Sequence, residues 1–294
     1  MGTATPAEWA RSKRDRLERR ATGEVRGYLD AAVEVVMPGV PIAAVLGFAA
    51  NGGTNENTTG WISCSESERR EALTLGRKPL GGDPRDGYGS VDGDDLHELG
   101  PFGVEGGHVP ELVAGPGSVW YGLASSAEVR KILGRDAVTG ARWHGAVADQ
   151  YAVGVANLAR HSGSIRAKLH ALDPRLAWDA DAKAWDLWRW AMTSGAWSAG
   201  AGGMLRHVER YAAEIAAAPP SQRWGLFCRL AAEVDDGGAK HRQDEYTALR
   251  TAQKLEAGRL AVQWTGEGDV ARVWLDDGLG AERDAIMARL AAIS

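Results

Sequence analysis

The sequence is poor in cysteine and has no strong excess of either charge. Cys64 and Cys228 are its only cysteines, and they form no CxxC pair. This excludes a disulfide-dense fold and a cysteine-based metal site; two free thiols are the expected state, with a single disulfide as the alternative. The formal net charge is -5 and the pI about 5.8, so the basic face typical of nucleic-acid binders is not expected.

Long hydrophobic runs are missing as well. The longest apolar stretch, residues 31–50, is interrupted by Glu34 and by two prolines and a glycine between positions 38 and 41, so it does not fit a bilayer span. The N-terminus is charged and has no apolar core of the secretory-signal type. We expect no signal peptide and no membrane insertion, with a cytoplasmic location until lysis or release in a particle, in association with a virion in the second case.

Tryptophan is abundant where the other aromatic residues are scarce. The chain has 12 Trp against 3 Phe and 6 Tyr. Filling of a hydrophobic core is the ordinary role of such residues. A groove in which flat indole rings stack on sugar rings is the alternative function.

Helical periodicity predicts a mainly α (α+β) fold, because apolar residues recur at three- and four-residue spacing over most of the chain. Residues 42–50, IAAVLGFAA, have no polar face, which predicts a short helix buried at the centre of a domain. Alternating side chains in RLAVQW and ARVWLD predict a β-hairpin near the C-terminus. The expected organisation is an N-terminal helical extension (1–39), a central domain (40–218) and a C-terminal helical segment containing this hairpin (219–294).

The stretch 51–118 differs from the rest in being rich in Gly, Asp, Asn and Pro. It predicts long loops with one or two short strands, and loops of this length in a compact domain are often functional. The acidic DGDD sequence at 92–95 does not fit the spacing of an EF-hand calcium loop. No other metal or cofactor motif is present, so no cofactor and no metal are expected.

Three segments, in order, resemble a known family: IAAVLGFAANGG (42–53), ELGPFGVEGGHV (98–109) and WDLWRWAMTSGAWSAGAGGMLRHVERY (185–211). Together they resemble the framework of goose-type lysozymes and soluble lytic transglycosylases. In that family a buried helix ends in a catalytic Glu, a glycine-rich segment follows, and a Tyr-Asn-Ala-Gly turn comes later. Residues 197–202, Trp-Ser-Ala-Gly-Ala-Gly, are similar to that turn.

The resemblance covers roughly residues 40–212 and implies a lysozyme-like helical domain with a loop-rich, glycine-rich insertion and added terminal helices. It implies the glycan strand of peptidoglycan as partner, with other particle subunits as further partners. By position it implies substrate-binding roles for Phe102, Gly103, Trp197, Ser198 and Arg206.

The family's catalytic acid is missing from its expected place. The alignment puts Ala49 or Ala50 where Glu-Ser is usual, and glycosidic cleavage requires a protonated carboxylic acid beside the leaving oxygen. Three explanations remain open: loss of activity in a protein kept for its shape, an acid supplied from elsewhere, or an engineered Glu-to-Ala change. The candidate acids from elsewhere are Glu56, Glu98 and Glu105, and each of them is also compatible with a solvated surface position.

Three functions follow from these observations. The first is a peptidoglycan-directed, catalytically impaired lysozyme-like protein that acts as a structural or binding component of a phage or phage tail-like particle. The second is an active hydrolase or lytic transglycosylase that uses a Glu from the loop region. The third is a helical structural scaffold unrelated to lysozymes.

Overall fold

Helices dominate the part of the chain that the computed structural model describes, which is residues 23–51, 91–92, 95–96, 102, 147–232, 239–268, 272 and 274–275. The helices are α1 (Gly23–Val36), α2 (Ile42–Asn51), α3 (Val147–Leu172), α4 (Leu187–Glu209), α5 (Ala212–Ala217), α6 (Pro220–Ala232) and α7 (Ala239–Thr265), with a 3-10 turn at Pro174–Leu176. Two antiparallel strands, β1 (Val91–Asp92) and β2 (Asp95–Leu96), pair Val91 with Leu96 and Asp92 with Asp95. The prediction of a mainly α protein is confirmed.

The described residues fall into two compact units. One contains α2 and everything described from His161 onward, including α4 to α7. The other contains α1, the two strands, Phe102 and the first part of α3. The long helix α3 therefore contributes to both units, its residues up to 160 to one and those from 161 to the other.

Helix α2 forms the core of its unit, as its composition predicts. All residues from Ala43 to Phe48 other than Gly47 are fully buried, and Ala49 is 1% exposed. Helix α7 packs along α2, and Trp190 and Trp197 of α4 contact it through the ring of Phe48. An apolar helix without a polar face is stable only when other elements cover it on every side, and these later helices provide that cover.

Helix α4 begins later than the sequence pattern indicates. A helix from about 180 is predicted, but the chain is extended or bent up to Asp186, whose Oδ1 accepts the backbone N–H of Arg189 at 2.7 Å. A side-chain acceptor at the N-cap satisfies an amide that has no partner within the helix. The indole of Trp188 then enters the core, and its Nε1–H donates to the carbonyl oxygen of Leu176 at 2.9 Å.

The predicted C-terminal β-hairpin is wrong. Residues 259–264, RLAVQW, belong to α7, and the described residues of the second expected strand, 272 and 274–275, are helical. Residues 254–258 are buried without interruption, and Ala261 and Val262 are buried one turn later. Contacts with α2 therefore enclose this part of α7, and a six-residue alternation does not reveal them.

Candidate functional site

The candidate site lies at the C-terminal end of α2, where the first and third segments of the family resemblance meet. The ring of Phe48, in the last turn of α2, lies 5.2 Å from the Trp197 ring in an edge-on arrangement. Trp197 also lies 5.4 Å from the imidazole of His161 in α3. Trp197, from the third segment, therefore packs against the helix of the first segment.

A break in α4 directly after Trp197 shapes the surface of the site. Gly200 has φ 70° and ψ 154°, inside an otherwise helical run. This backbone conformation is accessible almost only to glycine, since a Cβ would collide with the neighbouring peptide. The turn predicted for residues 197–202 is therefore present, and it exposes Ser198 and Gly200 at the surface.

Lys254 of α7 brings a positive charge into this place. Its Nζ donates to the Oγ of Ser198 at 2.5 Å and lies 4.4 Å from the centroid of the Phe48 ring. The residue is only 7% exposed. An ammonium over an aromatic face is attracted by the negative charge density of the ring, more strongly where water is excluded. We call Phe48, Trp197, Ser198 and Lys254 the α2-end cluster.

The opposite end of α2 is held by a carboxylate. Glu267 accepts the backbone N–H of Ile42 at 2.6 Å through Oε1, and the backbone N–H of Ala43 through Oε2. A helix carries partial positive charge at its N-terminus and partial negative charge at its C-terminus. Glu267 and Lys254 therefore place charges that complement both ends of α2. Both residues lie far from α2 in the sequence, so no local motif predicts that they contact the ends of this helix.

The expected position of the general acid lies beside this cluster and carries no acid. Ala49 is almost completely buried in the last turn of α2. Ala50 lies in the same turn. The three carboxylates proposed as substitutes, Glu56, Glu98 and Glu105, lie outside the described residues.

Two further predicted binding residues, Phe102 and Arg206, belong to different units of the structure. Phe102 is 1% exposed in the unit that contains α1, where its ring fills the space that a Cβ on Gly154 would need. That contact favours a packing role for Phe102, while the predicted role in substrate binding stays a prediction. Gly103 lies outside the described residues. Arg206 is exposed on α4 after the Gly200 break.

A second group of aromatic and cationic side chains, for which the sequence predicts no role, lies in the unit that contains α4. The guanidinium carbon of Arg189 lies 3.8 Å from the centroid of the Trp185 ring and 5.6 Å from that of Trp178. Its Nη1 donates to the carbonyl oxygens of Ala182 and Ala184, at 3.0 and 3.1 Å. Burial lowers the pKa of Arg189 to about 10, against the opposing effect of Asp186. These contacts fix the segment before α4 against the first turn of that helix.

No match was found when the chain was compared with protein-family models, with curated proteins and with solved structures. Within the described residues, no group of three or more His, Cys, Asp or Glu side chains is arranged to hold a metal ion. None of the described helices is long and apolar enough to cross a membrane.

Proposed function

We propose that the chain is a glycan-strand-binding, lysozyme-like protein that has lost its general acid. In this role it acts as a structural or binding component of a phage or phage tail-like particle. The substrate surface is formed by Trp197 and Ser198, the accessible members of the α2-end cluster, above the buried Phe48 and Lys254. The partner is the glycan strand of peptidoglycan. Binding, rather than turnover, is the activity that the residues present at this surface can perform.

The contact between Phe48 and Trp197 is the observation that carries the proposal. The two residues are 149 positions apart and belong to two of the three segments that together resemble the family, and their rings lie 5.2 Å apart. The contact brings together the two segments on which the proposal depends. The half-buried indole of Trp197 offers an apolar ring next to a hydroxyl and an ammonium, a combination suited to a sugar ring and its polar substituents.

The chemistry of the cluster supports binding without cleavage. A glycosidase protonates the leaving oxygen with a carboxylic acid whose pKa is raised by apolar surroundings. At the corresponding position, Ala49 or Ala50 supplies only a methyl group. A positioned acid contributes roughly 10²- to 10⁴-fold to such a reaction, so its loss removes most of the turnover while the binding surface remains.

Sedimentation with purified sacculi tests the proposal. The full chain should pellet with sacculi, and Trp197→Ala should reduce the bound fraction several-fold. Trp178→Ala is the matched control, because Trp178 is also half-buried in the same unit but lies outside the cluster. Circular dichroism of each variant separates loss of binding from loss of folding. Failure of the folded wild-type chain to pellet would contradict the proposal and favour an unrelated helical scaffold.

A further inference from the structure

We infer that Arg166, Arg189 and Arg223 form a binding site for a doubly charged anion of the phosphate monoester type at the start of α4. None of these residues belongs to the α2-end cluster, so the inference goes beyond the proposed function and does not depend on it. The observation behind it is a group of arginines that form no ion pair with any described residue.

Trp178, between α3 and α4, connects the first two arginines. The Nε–H of Arg166 donates to the carbonyl oxygen of Trp178 at 2.6 Å, and the guanidinium carbon of Arg189 lies 5.6 Å from the centroid of the Trp178 ring. The same guanidinium lies on the ring of Trp185, at 3.8 Å. A guanidinium stacked on an aromatic ring keeps the N–H groups at its edge for binding an anion. Both arginines are therefore held in place before a ligand arrives.

Arg189 has a pair of donors left over. Its Nη1 donates to the carbonyl oxygens of Ala182 and Ala184, whereas its buried Nε has no acceptor in the described part of the chain. No described residue accepts from Nη2 either. Nε and Nη2 form one edge of a guanidinium, the fork that binds two oxygens of a carboxylate or phosphate group. A buried donor without an acceptor is rare in native proteins, and an anion at this edge would supply one.

Arg223, in the first turn of α6, supplies a third cation from a helix that packs against α4. It is only 8% exposed, and its Nε–H donates to the carbonyl oxygen of Ala218 at 3.2 Å. Burial lowers the pKa of Arg223, against the opposing effects of Asp186 and Asp173. A buried guanidinium without an anionic partner costs folding free energy, which a bound anion would recover.

Asp186 relates the arginines to one another. Its carboxylate acts against burial on the pKa of both Arg189 and Arg223. It is held at the start of α4, where its Oδ1 accepts the backbone N–H of Arg189 at 2.7 Å, and the charge of Arg166 acts on Arg189 in the opposite direction. Three guanidinium groups beside one carboxylate leave an excess of two positive charges. A phosphate monoester balances this excess, because it carries close to two negative charges at neutral pH.

Isothermal titration calorimetry of the full chain tests the inference with three probes. Glycerol phosphate is a doubly charged monoester, dimethyl phosphate is a singly charged diester, and sulfate is doubly charged at every working pH. Glycerol phosphate and sulfate should each bind at least about tenfold more tightly than dimethyl phosphate, as expected for an added charge-assisted contact. Between about pH 7.5 and 5 glycerol phosphate takes up its second proton and should lose affinity, whereas sulfate should keep it.

Arg223→Gln and Arg166→Gln should each weaken the binding of glycerol phosphate by about tenfold. Lys168→Gln removes an exposed charge on α3 and is the control, which should bind like the wild type. Glycerol phosphate should also raise the melting temperature of the wild-type chain above that in sodium chloride of equal ionic strength, a readout that does not depend on the folding of any variant.

Three results would overturn the inference. They are the absence of binding by either dianion, equal affinity for all three probes, and unchanged affinity in Arg166→Gln together with folded Arg223→Gln. Each of them would leave the proposed binding of glycan strands standing, because that proposal depends on Trp197 and is measured with sacculi. Conversely, loss of sacculus binding in Trp197→Ala should leave the affinity for glycerol phosphate unchanged.

Discussion

Gly47 of α2 and Gly258 of α7 meet backbone to backbone where the two helices cross. A Cβ on Gly47 would overlap the backbone of Gly258, and a Cβ on Gly258 would lie 3.3 Å from the Cα of Ala44. Only residues without side chains allow two helix axes to approach so closely. This crossing fixes the position of Lys254, one turn before Gly258 in α7, and hence the geometry of the α2-end cluster.

Gly47→Ala should therefore destabilise the protein by about 3 kcal/mol or more, since the added methyl group collides with main-chain atoms that cannot move aside separately. Gly258→Ala should cost less, because its nearest neighbour is farther away. Urea denaturation measures both. Gly163→Ala is the control: this exposed glycine lies within α3, nothing surrounds it, and alanine should stabilise the helix by about 0.5–1 kcal/mol. If Gly47→Ala left the free energy of unfolding unchanged, the two helices would have to cross elsewhere.

Replacement of Glu267 by alanine should destabilise the protein by about 1–2 kcal/mol, because two amides at the start of α2 lose a charged acceptor in a partly buried place. Thermal unfolding monitored by circular dichroism measures the effect. Glu214→Ala removes a carboxylate from an exposed position in α5 and should change stability little. Equal effects of the two substitutions would contradict the capping role of Glu267.

Local sequence signals predicted the centre of the unit, whereas long-range partners escaped them. The burial of α2 follows from its uniform apolar composition, and the break near Gly200 follows from the glycine in a helical context. Glu267 lies 225 positions from Ile42, and no pattern in either segment predicts the hydrogen bond between them. The hairpin prediction failed because residues 259–264 continue α7, which packs along α2. Alternation over six residues carries no information about such a distant partner.

Acidification should expose the contribution of Asp173. Hydrogen bonds from Arg175 hold the pKa of Asp173 below its ordinary value of 3.8, with Nη2 and Oδ2 2.7 Å apart. A carboxyl group with a lowered folded pKa stabilises the protein above the unfolded pKa and loses that effect as pH falls through the folded value. Asp173→Asn keeps an N-cap acceptor for the 3-10 turn but removes the charge. The melting temperature of the variant should therefore approach that of the wild type as the pH falls below the ordinary value of 3.8 and through the lower folded pKa of Asp173.

The control for this pH experiment is Asp179→Asn, which alters another exposed carboxylate that accepts a backbone amide, that of Asp181. This variant shows how much of the change in melting temperature comes from replacing an exposed carboxylate of this kind outside the pair of Asp173 and Arg175. Parallel pH profiles for Asp173→Asn and wild type would contradict the role assigned to the pair of Asp173 and Arg175.

Gly200→Ala should destabilise the protein by about 1–3 kcal/mol, because the conformation at this position is nearly restricted to glycine. The same variant should weaken binding to sacculi, since Ser198 and Arg206 lie on opposite sides of the break. Gly202→Ala is the control: a Cβ there meets only the end of Arg206, at 3.9 Å, and stability should stay within about 0.5 kcal/mol of wild type. Wild-type stability and binding in Gly200→Ala would show that the break is dispensable.

The wild-type chain should release little or no soluble glycan from sacculi, and either Ala49→Glu or Ala50→Glu should introduce measurable cleavage. The added carboxyl group would enter the buried last turn of α2, where apolar neighbours favour the protonated form that a general acid needs. Ala49→Gln matches it in size without supplying a proton and should stay inactive. Both substitutions crowd a packed interior, so release is measured well below the melting temperature of each variant.

Brisk cleavage by the wild-type chain that survives the triple replacement of Glu56, Glu98 and Glu105 by Gln would refute the assignment. Cleavage by wild type that this replacement abolishes would instead establish an enzyme using an acid from the loop region.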